Sequence, residues 1–261
     1  VFGVIGQNGA GKSTLFRSIM NFFDDYEGSI TYEGRPIKSV PLEKIGFLPE
    51  ERSLSPKKTI EEEIRYFAKL NQMNRIPDEE LKRWFDRFEI KGKLTDKIKS
   101  LSKGNQQKVQ LLAAIIYKPE FVILDEPLSG LDPYNIRLLE DIIKELNEMG
   151  MTILFSSHNM ENVEALCNKL VMIKNGKIVL NGTPTEIRNT FPREKVIVET
   201  DKDLLPLIDG KVKSYTKSGD LWNIYLNDPE DSRAIYEDIN KNIGFVSQFS
   251  QAAPCLLYTS D

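Results

Sequence analysis

The chain has 261 residues, of which 40% are hydrophobic and 28% charged, with a formal net charge of −4. That length suits one large domain plus a small one, and the acidic balance argues against a nucleic-acid groove, which needs clustered Lys and Arg. No uninterrupted apolar run approaches the roughly 18 residues of a membrane-spanning helix, and two cysteines, Cys167 and Cys255, point to a reducing compartment rather than a disulfide framework.

The first predicted element is a buried strand over Phe2 to Ile5. It runs into Gly6, Gln7, Asn8, Gly9, Ala10, Gly11, Lys12, Ser13 and Thr14, which fit the phosphate-binding pattern G-x-x-x-x-G-K-[ST]. Leu15, Phe16, Ile19 and Met20 then mark the inner face of a helix. Glycines let backbone wrap a phosphate, and the helix N-terminus aims N–H groups at the anion. Lys12 is placed to reach the β- and γ-phosphates of a nucleotide and Ser13 to ligate Mg²⁺.

Further on, Ile45-Gly46-Phe47-Leu48 leads to Pro49-Glu50, and a helical insert follows. Thr59 and Glu62 form a capping box ahead of Ile60, Ile64, Phe67 and Ala68 on one helix face; Leu81, Trp84, Phe85 and Phe88 repeat the spacing on a second helix. Leu101 to Gln107 opens a third helix with Val109, Leu112, Ala113 and Ile116 on one apolar face, and its Ser and Gly suit either an anion site or an ordinary cap. Phe121 to Leu124 reads as a central parallel strand ending in Asp125-Glu126. Open α/β sheets place ligands at such strand ends, so Asp125 suits Mg²⁺ and Glu126 suits activation of a water; two solvated acids are the alternative. His158, the only histidine, follows a strand over Thr152 to Ser157.

A helix over Glu161 to Cys167 and a hairpin follow, with strands Leu170–Ile173 and Ile178–Leu180 around an Asn175-Gly176 turn. Composition shifts near Pro192. Beyond it the predicted order is strand Val196–Glu199, helix Leu204–Ile208, strand Val212–Tyr215, strand Leu221–Leu226, helix Ser232–Ile239 and strand Phe245–Phe249, the β-α-β-β-α-β order of a small ferredoxin-like α+β domain.

In order and spacing these motifs resemble the nucleotide-binding domain of ATP-binding cassette (ABC) ATPases, from Val1 to about Arg188. Gly6–Thr14 is similar to the Walker A loop, Leu101–Gln107 to the LSGGQ signature and Phe121–Asp125 to Walker B. Glu126 matches the catalytic glutamate, Ser129 to Asp132 the D-loop and His158 the switch histidine. The resemblance implies an α/β P-loop NTPase of ABC type with a helical subdomain at about residues 52–100. The expected domains are the ATPase at 1–191, the small α+β domain at 192–254 and a non-native tail at 255–261.

Two departures stand out. The signature reads LSKGN, keeping Ser102 and Gly104 as γ-phosphate contacts but placing Asn105 where Gln is usual. Glu50 stands where the family usually has the Q-loop Gln; a carboxylate ligates Mg²⁺ at least as well but cannot donate a hydrogen bond unless protonated. LPEER at that place resembles sodium- and drug-exporter subunits. Family members carry earlier strands and an adenine-stacking aromatic before the position of Val1, so the chain is expected to be a piece of a longer product.

The resemblance further implies a peripheral subunit on the cytoplasmic face of the membrane, powering a separate permease. Two copies, or one copy and a paralogous subunit, are expected to sandwich two Mg-ATP. Lys12, Ser13, Glu50 and Asp125 would come from one copy, Ser102, Gly104, Asn105 and Asp132 complete the nucleotide contacts, and Glu126 and His158 perform the catalysis. A non-transport ABC ATPase of translation or repair, and a nucleotide-dependent regulator with little turnover, are the other readings.

Overall fold

The structure, a computed structural model, describes residues 1–23, 25–51, 53–190 and 192–252. The predicted tail lies outside the described residues. The chain divides into two compact units, Val1–Pro184 and the residues from Thr185 on.

The first unit is a layered α/β fold. Its elements in order are β1 (Phe2–Ile5), α1 (Lys12–Ile19), β2 (Thr31–Tyr32), β3 (Arg35–Pro36), β4 (Ile45–Leu48), α2 (Ile60–Leu70), α3 (Asp78–Arg87), α4 (Lys103–Ile115), β5 (Phe121–Leu124), α5 (Pro133–Glu148), β6 (Thr152–Ser157), α6 (Met160–Leu166), β7 (Lys169–Lys174) and β8 (Lys177–Gly182). Six strands form one sheet in the order β4-β5-β6-β1-β7-β8. The first five are parallel and only β8 runs against its neighbour. The C-terminal ends of β1, β4, β5 and β6 therefore lie along one sheet edge, where ligands of open parallel sheets bind.

Buried apolar strands explain the sheet. Val4, Phe16, Ile123, Val171 and Ile173 pack in one core that seats α1 on β1. The hairpin β7–β8 turns through Asn175 and Gly176, both at positive φ, the type I′ requirement for a two-residue loop. In the helical insert the capping box forms: Glu62 N–H donates to Thr59 Oγ1, and Thr59 N–H to Glu62. Ile60, Ile64, Ala68, Leu81, Trp84, Phe85 and Phe88 are buried, while Phe67 is half-buried. Among the described residues no helix is long and apolar enough to cross a membrane.

Helix α4 differs from its predicted single apolar face. It is buried on all sides from Gln107 to Ile115, because it packs on both α2 and β4. Polar positions that would face water on an isolated helix lie inside here.

The second unit follows α7 (Pro184–Thr190) with β9 (Lys195–Glu199), α8 (Leu205–Ile208), β10 (Ser214–Ser218), β11 (Leu221–Tyr225), α9 (Asp231–Asn242) and β12 (Gln248–Ala252). The antiparallel order β10-β11-β9-β12 is that of a ferredoxin-like α+β sheet. Val196, Val198, Trp222 and Ile224 face Ile235 and Ile239 in its core. Two strands lie later in the chain than predicted. β10 starts at Ser214 because its register with β11 is set by the Gly219-Asp220 turn, not by Val212. β12 starts at Gln248, and Phe245, at 90% exposure, precedes the ladder.

Candidate functional site

The site starts from the loop between β1 and α1. Gly6 is fixed by close approach: a Cβ there would lie 2.5 Å from the Ile173 carbonyl oxygen of β7. Gly11 caps α1 at φ 110°, a left-handed conformation that favours glycine, and as a glycine it makes no side-chain cap to the helix N-terminus. The first-turn N–H groups of α1 are thus presented to an anion. Asn8, Gly9, Gly11, Lys12, Ser13, Thr14 and Glu50 line one cavity of about 370 Å³. The exposed Glu50 at the end of β4 is therefore brought to the phosphate loop.

Lys12 is only 6% exposed and donates to the carbonyl oxygens of Gly6 at 2.8 Å and Gln7 at 3.4 Å. It also stands 3.5 Å from Glu126 Oε1, a carboxylate only 5% exposed. His158 Nδ1, at the end of β6, lies 2.9 Å from Glu126 Oε2. Burial disfavours a lone carboxylate; here a lysine and an imidazole flank it. Glu126 has φ 51°, a left-handed conformation unusual for a non-glycine residue and of a kind that concentrates at functional sites.

Sequence reasoning passed over Ser156. It is fully buried, donates to Asp125 Oδ1 at 2.7 Å and accepts from Glu126 N–H at 2.9 Å. The parallel register, with Leu124 opposite Phe155, brings it beside both acids. Only the pairing of β5 and β6 reveals this; a serine at the polar end of an apolar strand is the one sequence hint. Ser156→Ala would leave both partners without it. The expected loss is about 1–3 kcal/mol of stability, the cost of an unsatisfied buried polar group, read as a lower denaturation midpoint.

The signature residues lie elsewhere. Ser102 caps α4, accepting from Asn105 N–H at 3.3 Å and from Asn105 Nδ2 at 3.0 Å. Asn105 Oδ1 also accepts from Lys91 N–H at 3.1 Å. Asn105 thus orients the Ser102 hydroxyl and ties it to the helical insert. Asp132 caps α5 through Asn135 N–H, a bond that holds its carboxyl below the usual range. None of Ser102, Gly104, Asn105 and Asp132 lines the loop cavity.

A phosphate loop between a parallel strand and a helix, with acids at the end of a second parallel strand of the same sheet, defines a P-loop nucleoside triphosphatase. Comparison with known proteins narrows the class. Residues 1–129 match the family model described as ABC transporter, and residues 182–256 the model described as ATP-binding protein DrrA1-3-like, C-terminal domain. The chain is 40% identical over 258 residues to the uncharacterized ABC transporter ATP-binding protein YhaQ of Bacillus subtilis, covering 98% of this chain and 86% of that protein. It is 29% identical to Nod factor export ATP-binding protein I of Rhizobium etli, covering 89% of this chain and 76% of that one. A solved ATP binding subunit of an ABC transporter superposes with a TM-score of 0.64 at 30% identity, over 73% of this chain and 81% of the other. The chain belongs to the family of ABC transporter ATP-binding proteins. It is an ATP-binding, ATP-hydrolysing subunit of an ABC transporter, and such subunits partner with membrane components.

Proposed function

We propose that two copies of this chain, or one copy and a paralogous subunit, close around two Mg-ATP and so power export through a separate permease. The observation that carries this reading is the buried Glu126 carboxylate beside the loop. Its Oε2 meets His158, while its Oε1 takes no hydrogen bond among the described residues and has the Lys12 ammonium 3.5 Å away. Such an oxygen is suited to accept a proton from an attacking water. His158, half-exposed, would contact the γ-phosphate, and Lys12 with the loop N–H groups would hold the β- and γ-phosphates.

The donors fit magnesium. Ser13 and Glu50 share the loop cavity and Asp125 stands beside Glu126, all hard oxygen ligands. When bound, Mg²⁺ neutralises charge on the nucleotide phosphates.

Ser102 and Asp132 cap helices α4 and α5 away from the phosphate loop, and the resemblance of the Leu101–Gln107 and Ser129–Asp132 motifs to the family's supports assigning Ser102, Gly104, Asn105 and Asp132 to the nucleotide of a second copy. The division of labour proposed is an ATPase domain over 1–191, with its helical part at about 52–100, and a small domain over 192–254 for contact between copies or regulation. Export is supported by the Nod factor export relative and by LPEER; attachment through the permease would put the subunit on the cytoplasmic face of the membrane.

Size-exclusion chromatography of Glu126→Gln with and without Mg-ATP tests the composite site. The expected result is a shift to a dimer with Mg-ATP only. A variant that binds Mg-ATP yet elutes as a monomer would remove the sandwich.

A further inference from the structure

Helix α4 carries more than the signature at its start. Two of its glutamines are buried, Gln107 at 6% and Gln110 at 4% exposure. Their spacing of three puts them on one helix face. Gln107 Nε2 donates to the Pro127 carbonyl oxygen at 3.1 Å, directly after Glu126. Gln110 Nε2 donates to the carbonyl oxygens of Pro49 and Glu51, both at 3.2 Å. An amide nitrogen has two N–H groups, and Gln110 directs both to carbonyls of the two residues on either side of Glu50.

Packing alone does not call for an amide here. A buried glutamine costs free energy unless it is paired, and the neighbouring positions Val109, Leu111 and Leu112 are filled by aliphatic side chains. Gln110 fixes the carbonyls of Pro49 and Glu51, one residue either side of Glu50, whose side chain lines the loop cavity. The clamp spans from a helix to the segment that follows β4, which ends at Leu48.

We propose that Gln110 is a positioning residue that sets where Glu50 meets the nucleotide, and that through it α4 links the Ser102 end of the helix to the chain's own loop cavity. The inference rests on the composite-site reading above, in which Ser102 serves the second copy's nucleotide and Glu50 its own copy's metal. Gln107 supplies the parallel tie at Glu126. Engagement of Ser102 at one site would then be felt by the acids of the other, because one rigid helix holds both.

The test is a double-mutant cycle of Gln110→Met and Glu50→Gln on the full chain, reading kcat, KM for ATP and half-saturating Mg²⁺. Methionine keeps the volume and removes both donors. Gln110→Met should lower kcat and raise half-saturating Mg²⁺ by about fivefold, the size of one or two neutral hydrogen bonds, with KM for ATP nearly unchanged. In the Glu50→Gln background the same change should have less than half that effect. Fully additive effects, or an unchanged Mg²⁺ dependence in Gln110→Met, would overturn the inference. Glu50→Gln that leaves Mg²⁺ dependence untouched would instead remove Glu50 as a metal ligand, the underlying reading. Gln110→Glu keeps the length but points a carboxylate at the same two carbonyls; it should show the larger defect, and equal activity to wild type would also overturn the clamp.

Discussion

Glu126→Gln is expected to keep Mg-ATP binding and to lower steady-state ATP turnover about 10³-fold, within the range supplied by a positioned general base. The substitution changes charge but not size. The amide can present its oxygen to Lys12, 3.5 Å from Oε1, and its NH₂ to His158 Nδ1, 2.9 Å from Oε2. Lys12 keeps the Gly6 and Gln7 carbonyls as acceptors. The Ser156 bond to the backbone N–H of residue 126 does not depend on the side chain, so the left-handed backbone there is retained. What disappears is the buried carboxylate oxygen, Oε1, placed to take a proton from water. Isothermal titration for binding and single-turnover hydrolysis for chemistry separate the two effects. Turnover within tenfold of wild type would rule out Glu126 as the base.

Much of this arrangement is legible in the chain because it is local. Phe2–Ile5, Phe121–Leu124 and Thr152–Ser157 are short, largely apolar runs, and each appears as a strand with those limits. Asn175-Gly176 forces a hairpin whatever surrounds it. The residues that escaped notice depend on contacts distant in sequence. Ser156 gains its partners from the pairing of β6 with β5. Gln107 and Gln110 read as the wet side of a helix until the segments after β5 and β4 bring the Pro127, Pro49 and Glu51 carbonyls to them. Glu63 reads as one acid among three, yet it is 2% exposed, accepts from Ser55 N–H at 2.8 Å and faces Lys58 at 3.3 Å. Edge strands were misplaced for a related reason. β10 is exposed along its whole length, so alternation carries little information there and the turn sets the register.

Lys12→Ala is expected to weaken Mg-ATP binding at least 100-fold, about 2.7 kcal/mol, and to reduce turnover below detection. Two losses combine. The first is the point charge that meets the β- and γ-phosphates. The second is internal: Lys12 is buried, and its removal leaves the Gly6 carbonyl without that donor and Glu126 without its nearest cation. An uncompensated buried carboxylate is costly, so the nucleotide-free variant should also unfold at lower temperature. The two losses are separable. Adding Glu126→Gln removes the stranded charge, so the double variant should recover part of the thermal stability while still failing to bind Mg-ATP. Recovery of stability without recovery of binding would show that Lys12 acts twice, as the cation that holds Glu126 and as the ligand of the phosphates. A double variant no more stable than Lys12→Ala would mean that His158, 2.9 Å from Oε2, suffices to hold the carboxylate, leaving Lys12 to the nucleotide alone.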